Sequence, residues 1–253
     1  MLGNVYANIT ILPGLEFRSV LGANIINQKS NYYGGRQLIW ISSPNGSASV
    51  NNNRNNSWQF ENYVTYHKDF ARAHSFTGMV GLSWQHVDNS SSTASATGFE
   101  DDFFQYNNLG IGTSPSAASS ANAYGLNSYF ARVNYGYRSK YLLTATARLD
   151  GSSKFGQSNR YAFFPSVAAA WNMSSEEFME NQSNWMDMLK VRLSWGSNGN
   201  QAINPYQTLD RLKLTNYIWG DHGTVVNGSY LPTDGGGNPN LKWETSRTVN
   251  AGI

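Results

Sequence analysis

Few residues in this chain have the types and spacing of a reactive site, and the most suggestive run, Gly151 to Gly156, reads GSSKFG. Its glycine spacing matches a phosphate-binding loop, in which backbone N–H groups surround the phosphates. The Lys and Ser/Thr pair that must follow the second glycine is absent, and the run joins two stretches of strand-like alternation. We therefore interpret it as a structural loop. The run from Gly235 to Gly237 is similarly interpreted as a flexible connection.

Metal chemistry would need clustered histidines or carboxylates. The histidines, His67, His74, His86 and His222, show no metal-site spacing. His74 and His86 share a strand face but lie too far apart for one ion, at roughly 3.3 Å per residue. The acidic run Glu100 to Asp102 offers the oxygen ligands that calcium takes, although a solvated loop is the simpler interpretation. The sequence thus predicts no catalytic residue, no cofactor and no metal.

Aromatic residues in polar stretches are the remaining candidates for binding chemistry. Flat apolar rings suit sugar rings or peptide side chains. The alternative is that these rings only pack loops against one another. The candidates are Trp40, Phe103, Phe104, Tyr106, Tyr217, Trp219 and Tyr230. From this set we predict that Trp40, Tyr106 and Trp219 contact an oligosaccharide or peptide substrate.

Composition narrows the function classes. The chain has 253 residues, a net charge of +2 and no cysteine. Because no clustered Lys/Arg face is visible, nucleic acid is excluded as a partner. The lack of cysteine excludes disulfides and thiol chemistry. The sequence contains no apolar run long enough for a transmembrane helix, and its first residues lack the pattern of a signal peptide.

The elements that must position these residues are long strands. Between Tyr129 and Trp171 the chain alternates with a period of two, so that Tyr129 and Val133 face one side while Phe130 and Arg132 face the other. Runs of about ten alternating residues are typical of strands that cross a bilayer, whereas strands of soluble domains are more often about five or six residues long.

Reading the whole chain for alternation predicts about nine strands. The first spans Gly3 to Ile11, and the last spans Leu241 to Ile253. Two long polar loops are predicted, at 27–56 and 88–127, and short turns lie between them, an asymmetry typical of outer-membrane barrels. A polar segment is predicted up to Asn240, and the stretch from Ser174 to Lys190 is predicted to be a short helix with a serine cap.

Two further patterns fit a barrel wall. Aromatic residues near strand ends would form interfacial girdles, and they are Tyr135, Tyr137, Tyr141, Trp84 and Trp195. Polar residues of the opposite face would line the lumen or pair with a plug, and they are Arg132, Arg148, Asp150, Lys190 and Arg192. Arg247 is predicted to lie on the same strand face as Leu241, Trp243 and Val249. That face is apolar, and a charged side chain on it is tolerable only near the rim of the barrel.

Four blocks of the sequence resemble the SusC/RagA family of TonB-dependent outer-membrane transporters. They begin at Tyr129 (YFARVNYGYRSKYLLTATARLDGSSKFG), Tyr161 (YAFFPSVAAAWNMSSEEFM), Leu189 (LKVRLSWGSNGNQAINPY) and Asn238 (NPNLKWETSRTVNAGI). The resemblance implies an all-β fold, an antiparallel transmembrane β-barrel of about twenty-two strands. Residues 1–253 would supply about nine of them, as an incomplete barrel segment without a plug domain.

The resemblance also implies a function. It predicts a non-enzymatic part of an importer in the cell outer membrane, surrounded by membrane lipid. TonB would act through an N-terminal region outside this chain, and a SusD-like lipoprotein would form the lid over a glycan or peptide substrate. Two alternatives stay open: a secreted β-sandwich glycan-binding module, and a glycosidase, which would need paired carboxylates on facing strands.

Overall fold

The structure is a computed structural model that describes residues 1–37, 45–182, 187–219, 224–230 and 236–253. Eleven strands form from the alternating segments. They are β1 (Leu2–Leu12), β2 (Leu15–Gly34), β3 (Ser47–Phe70), β4 (His74–Thr97), β5 (Ser114–Tyr137), β6 (Tyr141–Ser152), β7 (Tyr161–Asn172), β8 (Lys190–Asn200), β9 (Lys213–Trp219), β10 (Thr224–Tyr230) and β11 (Glu244–Gly252).

Nine of these strands form one sheet in the order β1-β2-β3-β4-β5-β6-β7-β8-β11, so that each strand lies beside its neighbour in sequence except where β9 and β10 intervene. The pairs β5–β6, β6–β7, β7–β8 and β8–β11 are antiparallel. β9 and β10 pair as a separate hairpin. The prediction of an incomplete, all-β antiparallel sheet is confirmed, because β1 and β11 end the sheet without pairing with each other.

Tight turns join several of these strands. At the β3–β4 turn, Ala71 and Arg72 have φ of 51° and 53°, and the N–H of Ala73 donates to the carbonyl of Phe70. Arg138 and Ser139 have similar positive φ at the β5–β6 turn. Two consecutive positive φ values define the type I′ turn, whose twist matches that of the strands it connects.

The predicted extents of the two long loops are wrong. Instead of ending near Asn27, β2 continues to Gly34, and β3 begins at Ser47. β4 likewise runs to Thr97 and β5 begins at Ser114, within the stretch predicted to be loop 88–127. These extensions are rich in Asn and Ser, and their cross-strand partners are other polar side chains: Ser91 Oγ donates to Asn53 Oδ1 at 2.8 Å.

Three other predictions need correction. The polar segment before Asn240 contains the hairpin β9–β10. The last strand begins at Glu244 rather than Leu241, so Trp243 does not share the face of Val249. The stretch predicted to be one helix begins with two 3-10 helices, Met173–Ser175 and Glu177–Gln182, because Glu176 between them is extended, with φ −81° and ψ 148°.

The chain divides into two compact units. The first contains Met1–Val5, Leu21–Gln59 and Gln85–Tyr124, and its core is a cluster of Ala48, Ala96 and Phe99. The second contains Tyr6–Val20, Phe60–Trp84 and Gly125–Ile253, and its core is a cluster of Phe155, Phe164 and Trp243.

Candidate functional site

The register of the second unit separates two chemically different faces. One cross-strand row is polar, and the next residue along each strand belongs to an apolar row. The polar row is Asn134, Thr144, Ser194 and Asn250, with the small Ala168 between Thr144 and Ser194, and the apolar row is Val133, Ala145, Val167, Trp195 and Val249. The alternation predicted from Tyr129 onward is therefore the alternation of a real two-faced sheet.

Large side chains of the apolar face are exposed among the described residues of this unit. Val249 is 68% exposed, Phe163 59% and Leu193 58%. Their neighbours along the register, such as Val167 and Trp195, are also exposed. Contiguous exposed apolar surface of this kind is rare on soluble monomers and marks contact with another apolar phase.

Hydrogen bonds between strands hold the polar face. Thr144 Oγ1 donates to Asn134 Oδ1 at 2.9 Å across β5 and β6. The hydroxyls of Thr146 and Ser166 are hydrogen-bonded to each other across β6 and β7. This face presents hydroxyl and amide groups to whatever it encloses, as the interior of a wetted barrel does.

A charged cluster completes the polar face where the last residues of β6 lie beside the middle of β5. Arg148 Nε donates to both carboxylate oxygens of Asp150, at 2.7 and 2.9 Å, and Arg148 Nη2 donates to Ser128 Oγ at 2.9 Å. Asp150 is 9% exposed, and Ser128 1%. Bonds of this kind to ionised groups are the strong ones. Arg148 and Asp150 neutralise each other's charge, and the bond from Arg148 to Ser128 links β6 to β5.

The other predicted lumen cations behave differently. Arg132, Lys190 and Arg192 lie on the same face by register as Arg148. Within the part of the chain that the structure describes, none of the three forms an ion pair. These three residues add positive charge to this face, which would favour anionic groups near them.

The glycine-rich run beginning at Gly151 is structural, as interpreted from the sequence. Its Phe155 is 2% exposed and packs against Trp243 at a ring separation of 5.2 Å, and Trp243 contacts Phe164 at 5.5 Å. Trp243 Nε1 also donates to the carbonyl of Arg160 at 2.9 Å. At Gly156 the backbone approaches the carbonyl of Pro239 so closely that an added Cβ would lie 2.5 Å from it.

A second cluster lies at the opposite ends of β6 and β7. Glu176 accepts from Trp171 Nε1 and from Lys140 Nζ, each at 3.0 Å. The Trp171 indole first, then Lys140 and the Tyr141 hydroxyl, stabilise the ionised carboxylate and lower the pKa of Glu176 to about 2. Phe178 packs edge-on against Trp171. The helix predicted over this stretch did not reveal these partners, which lie on other elements.

The acidic run of the long loop is engaged by neighbours in the first unit. Tyr33 donates its hydroxyl to Asp102, and Arg36 Nε lies 3.4 Å from the same carboxylate. The Tyr33 hydrogen bond lowers the pKa of Asp102. Asp101 Oδ1 accepts from the N–H of Phe103 at 2.9 Å. Among the described residues no three acidic or histidine side chains are grouped as a metal site.

The structure describes the three predicted substrate contacts to different extents. Tyr106 lies in a 3-10 helix, Gln105–Asn107, half-buried against the cluster of Ala48, Ala96 and Phe99. Trp40 lies outside the described residues. Trp219 is the last residue of β9, and its backbone pairs with Thr224, but its side chain lies outside the described part. The role of these three residues as substrate contacts stays a prediction.

Phe103 and Phe104 are a further pair in the loop beside the acidic run. Their rings meet edge to face at a separation of 5.0 Å, and Phe103 is 83% exposed.

In the described ranges, no helix has the length and apolarity needed to cross a bilayer.

Comparison with known proteins gives consistent matches. Residues 7–253 match the family model described as TonB dependent receptor-like, beta-barrel. The TonB-dependent receptor P3 of Formosa agariphila is 39% identical over 251 residues, which is 99% of this chain and 24% of that protein. The TonB-dependent receptor SusC of Bacteroides thetaiotaomicron is 38% identical over 130 residues, 51% of this chain and 13% of that protein.

Among solved structures, that of the RagAB peptide transporter matches with a TM-score of 0.85 and 28% identity. The match covers 99% of this chain and 27% of the other. The chain thus spans about a quarter of the length of these relatives, apart from the shorter match to SusC.

Proposed function

Because this chain belongs to the TonB dependent receptor-like β-barrel family, we propose that it forms part of the wall of a transporter in the cell outer membrane. Proteins of this family are outer-membrane transporters. Residues 1–253 would contribute a segment of the barrel, since matched relatives are about four times longer. The plug and the region that contacts TonB would belong to the rest of a longer protein.

One observation carries this proposal: in the second unit a mainly polar face and an exposed apolar face alternate residue by residue along the strands. Exposed residues such as Val249 and Leu193 stand on the apolar face, and Asn134 and Thr144 bond to each other on the polar one. In a barrel the first face meets hydrocarbon and the second a wetted interior. A two-sheet sandwich would instead bury one face of each sheet against the other.

The named relatives support a proposal for the partners and the substrate. SusC-like and RagAB-like transport implies a SusD-like lipoprotein that covers the barrel from outside, and energy supplied by TonB. The substrate would be an oligosaccharide or a peptide, recognised in part by Trp40, Tyr106 and Trp219. The barrel itself would perform no covalent chemistry, in keeping with relatives that are transporters or receptors.

Lipid contact of the apolar face is testable by fluorescence quenching. Trp195 and Trp84 are 39% and 38% exposed in the second unit. The full-length protein would be reconstituted in vesicles whose lipids carry bromine on the acyl chain, beside variants Trp84→Phe and Trp195→Phe. We expect the brominated lipids to quench a fluorescence component that each substitution removes.

The location of the protein and its transport activity are tested together in the bacterium that produces it. The full-length protein should fractionate with the outer membrane, and deletion of its gene should abolish growth on one class of oligosaccharide or peptide. A protein that remains in the aqueous fraction without detergent, with neither tryptophan accessible to lipid, would overturn the proposal.

A further inference from the structure

A polar cleft of about 690 Å³ lies in the first unit, across four neighbouring strands. Its walls come from residues that lie beside one another on the neighbouring strands β2, β3, β4 and β5. The side chains that form these walls mostly carry amide and hydroxyl groups. Residues of the cleft include Asn27, Lys29, Asn52, Arg54, Ser90 and Ser92. A volume of this size accommodates a sugar-sized or larger ligand.

The cleft is cationic. Lys29 and Arg54 contribute two positive charges, and no carboxylate belongs to its lining. Among the described residues Arg54 forms no ion pair. With the Asn56 amide oriented so that its oxygen faces the guanidinium, that neutral oxygen accepts from Arg54 Nε at 2.8 Å. Asp88, an acid of the neighbouring strand β4, is engaged by His86 at 3.2 Å. Two charged donors among neutral hydrogen-bonding groups suit a phosphate, since a guanidinium binds phosphate oxygens bidentately.

The side of the sheet on which these cations lie decides what can reach them. Side chains two or four residues apart in a strand share a face. Arg54 therefore lies on the face of Trp58, and Lys29 on that of Ile25 and Leu21. The odd-numbered residues of β3 face the other way, where Asn53 bonds to Ser91 and Asn55 to Asn89.

The face of Lys29 and Arg54 also carries the apolar band. Leu21 is 51% exposed, Trp58 44% and Ile25 38%, and Trp58 stacks on His86 at 6.1 Å. From Trp58 to Arg54, and from Ile25 to Lys29, the distance along the strand is about 13 Å. An aromatic residue followed outward by cations is the order in which a bilayer presents its hydrocarbon edge and its headgroups.

We propose that this cleft binds the phosphate groups of a phosphorylated glycolipid in the outer leaflet of the outer membrane. The proposal rests on the proposed function, which places the apolar face in lipid. A transported solute would meet the other face of the sheet, so the cleft and the transport pathway are different sites. Lys29 and Arg54 bind the phosphates, and the surrounding Asn and Ser side chains accept and donate hydrogen bonds to the sugar hydroxyls.

The test uses the full-length protein in nanodiscs of phosphatidylcholine, titrated with fluorescent lipopolysaccharide. The double variant Lys29→Gln, Arg54→Gln should bind lipopolysaccharide roughly thirtyfold more weakly, at about a factor of five for each charge near a membrane surface. The matched control, Lys68→Gln with Arg72→Gln, removes the same charge from exposed residues at the end of β3 and in the β3–β4 turn, and it should bind as the unmodified protein does.

Two further probes identify the source of the phosphate. Dephosphorylated lipopolysaccharide should bind about as weakly to the unmodified protein as intact lipopolysaccharide binds to the double variant. Inorganic phosphate at millimolar concentration should not displace the intact glycolipid; displacement would mean a site for free phosphate and would overturn the lipid assignment.

The outcomes separate this proposal from the transporter proposal. If the double variant inserts, transports and retains lipopolysaccharide affinity, the cleft assignment is wrong while the transporter stands. If the unmodified protein does not insert into the outer membrane, both proposals fail.

Discussion

Glu176 shows how one residue ties a connection to the sheet. Its carboxylate accepts from the Trp171 indole and from Lys140, which lie in β7 and in the β5–β6 turn. To reach both donors the residue adopts an extended conformation and divides the 3-10 segment in two. The ionised carboxylate thus holds the β7–β8 connection against the neighbouring turn.

This arrangement predicts an acid-sensitive connection. Because the pKa of Glu176 falls from an ordinary 4.5 to about 2 on folding, the ionised carboxylate stabilises the folded state. That stabilisation is complete above pH 4.5, decreases below it, and is lost as the pH falls through about 2. We expect Trp171 fluorescence and amide exchange of residues 173–180 to report a loosening in this window.

Two variants check the assignment. Glu176→Gln should already be loosened at neutral pH and should lack the acid transition. Glu180→Gln, on an exposed neighbour in the same segment, is the matched control and should retain it. An unchanged acid profile in Glu176→Gln would contradict this role.

At the scale of elements, β7, β8 and the segment before β11 pack together at one aromatic cluster. The packing depends on Gly199 in β8, which lies against the ring of Phe164 in β7. A Cβ added at Gly199 would overlap the ring of Phe164. That ring is 7% exposed and packs against Trp243. Gly199 therefore allows the aromatic cluster to close, although it occupies an ordinary strand position.

We predict that Gly199→Ala destabilises the protein by about 1–3 kcal/mol, because the ring of Phe164 must move out of a well-packed cluster. The measurement is the free energy of unfolding of the full-length protein by urea in detergent micelles. Gly228→Ala in β10 is the control, since the nearest atom to its added Cβ is 3.9 Å away. Equal stabilities of the two variants would refute the packing argument.

The extents of the elements show where sequence reasoning succeeds. β6, β7 and the second half of β5, from Tyr129 onward, were predicted well because their apolar residues alternate with polar ones. The far halves of β3 and β4 were predicted as loop, because Asn51, Asn53 and Ser91 have no apolar alternation. Their strand conformation is stabilised by partners on the neighbouring strand, such as the bond from Thr93 Oγ1 to Asn51 Oδ1 at 2.8 Å.

At the scale of the whole molecule, the sheet is open. β1 and β11 each pair on one side only. Unpaired strand edges are unfavourable in hydrocarbon, where no water can satisfy the backbone N–H and C=O groups. The remaining strands of a longer protein would satisfy both edges.

We therefore predict that the 253-residue chain expressed alone does not form a stable monomeric barrel. On gels run without boiling, it should lack the compact, heat-modifiable band that the full-length protein shows, and it should aggregate in detergent. A monomeric, heat-modifiable band from the isolated chain would show that the open edges can be satisfied within these residues.

The sequence by itself determined the two-faced strands from Tyr129 onward and the short joints between them, because alternation depends on residues close together in the chain, and its four blocks indicated the family. Only the tertiary structure decided that Phe155 meets Trp243, that Glu176 meets Lys140, and that Lys29 and Arg54 line one cleft. These contacts join residues that are far apart along the chain, and they depend on strand register, which no local pattern specifies.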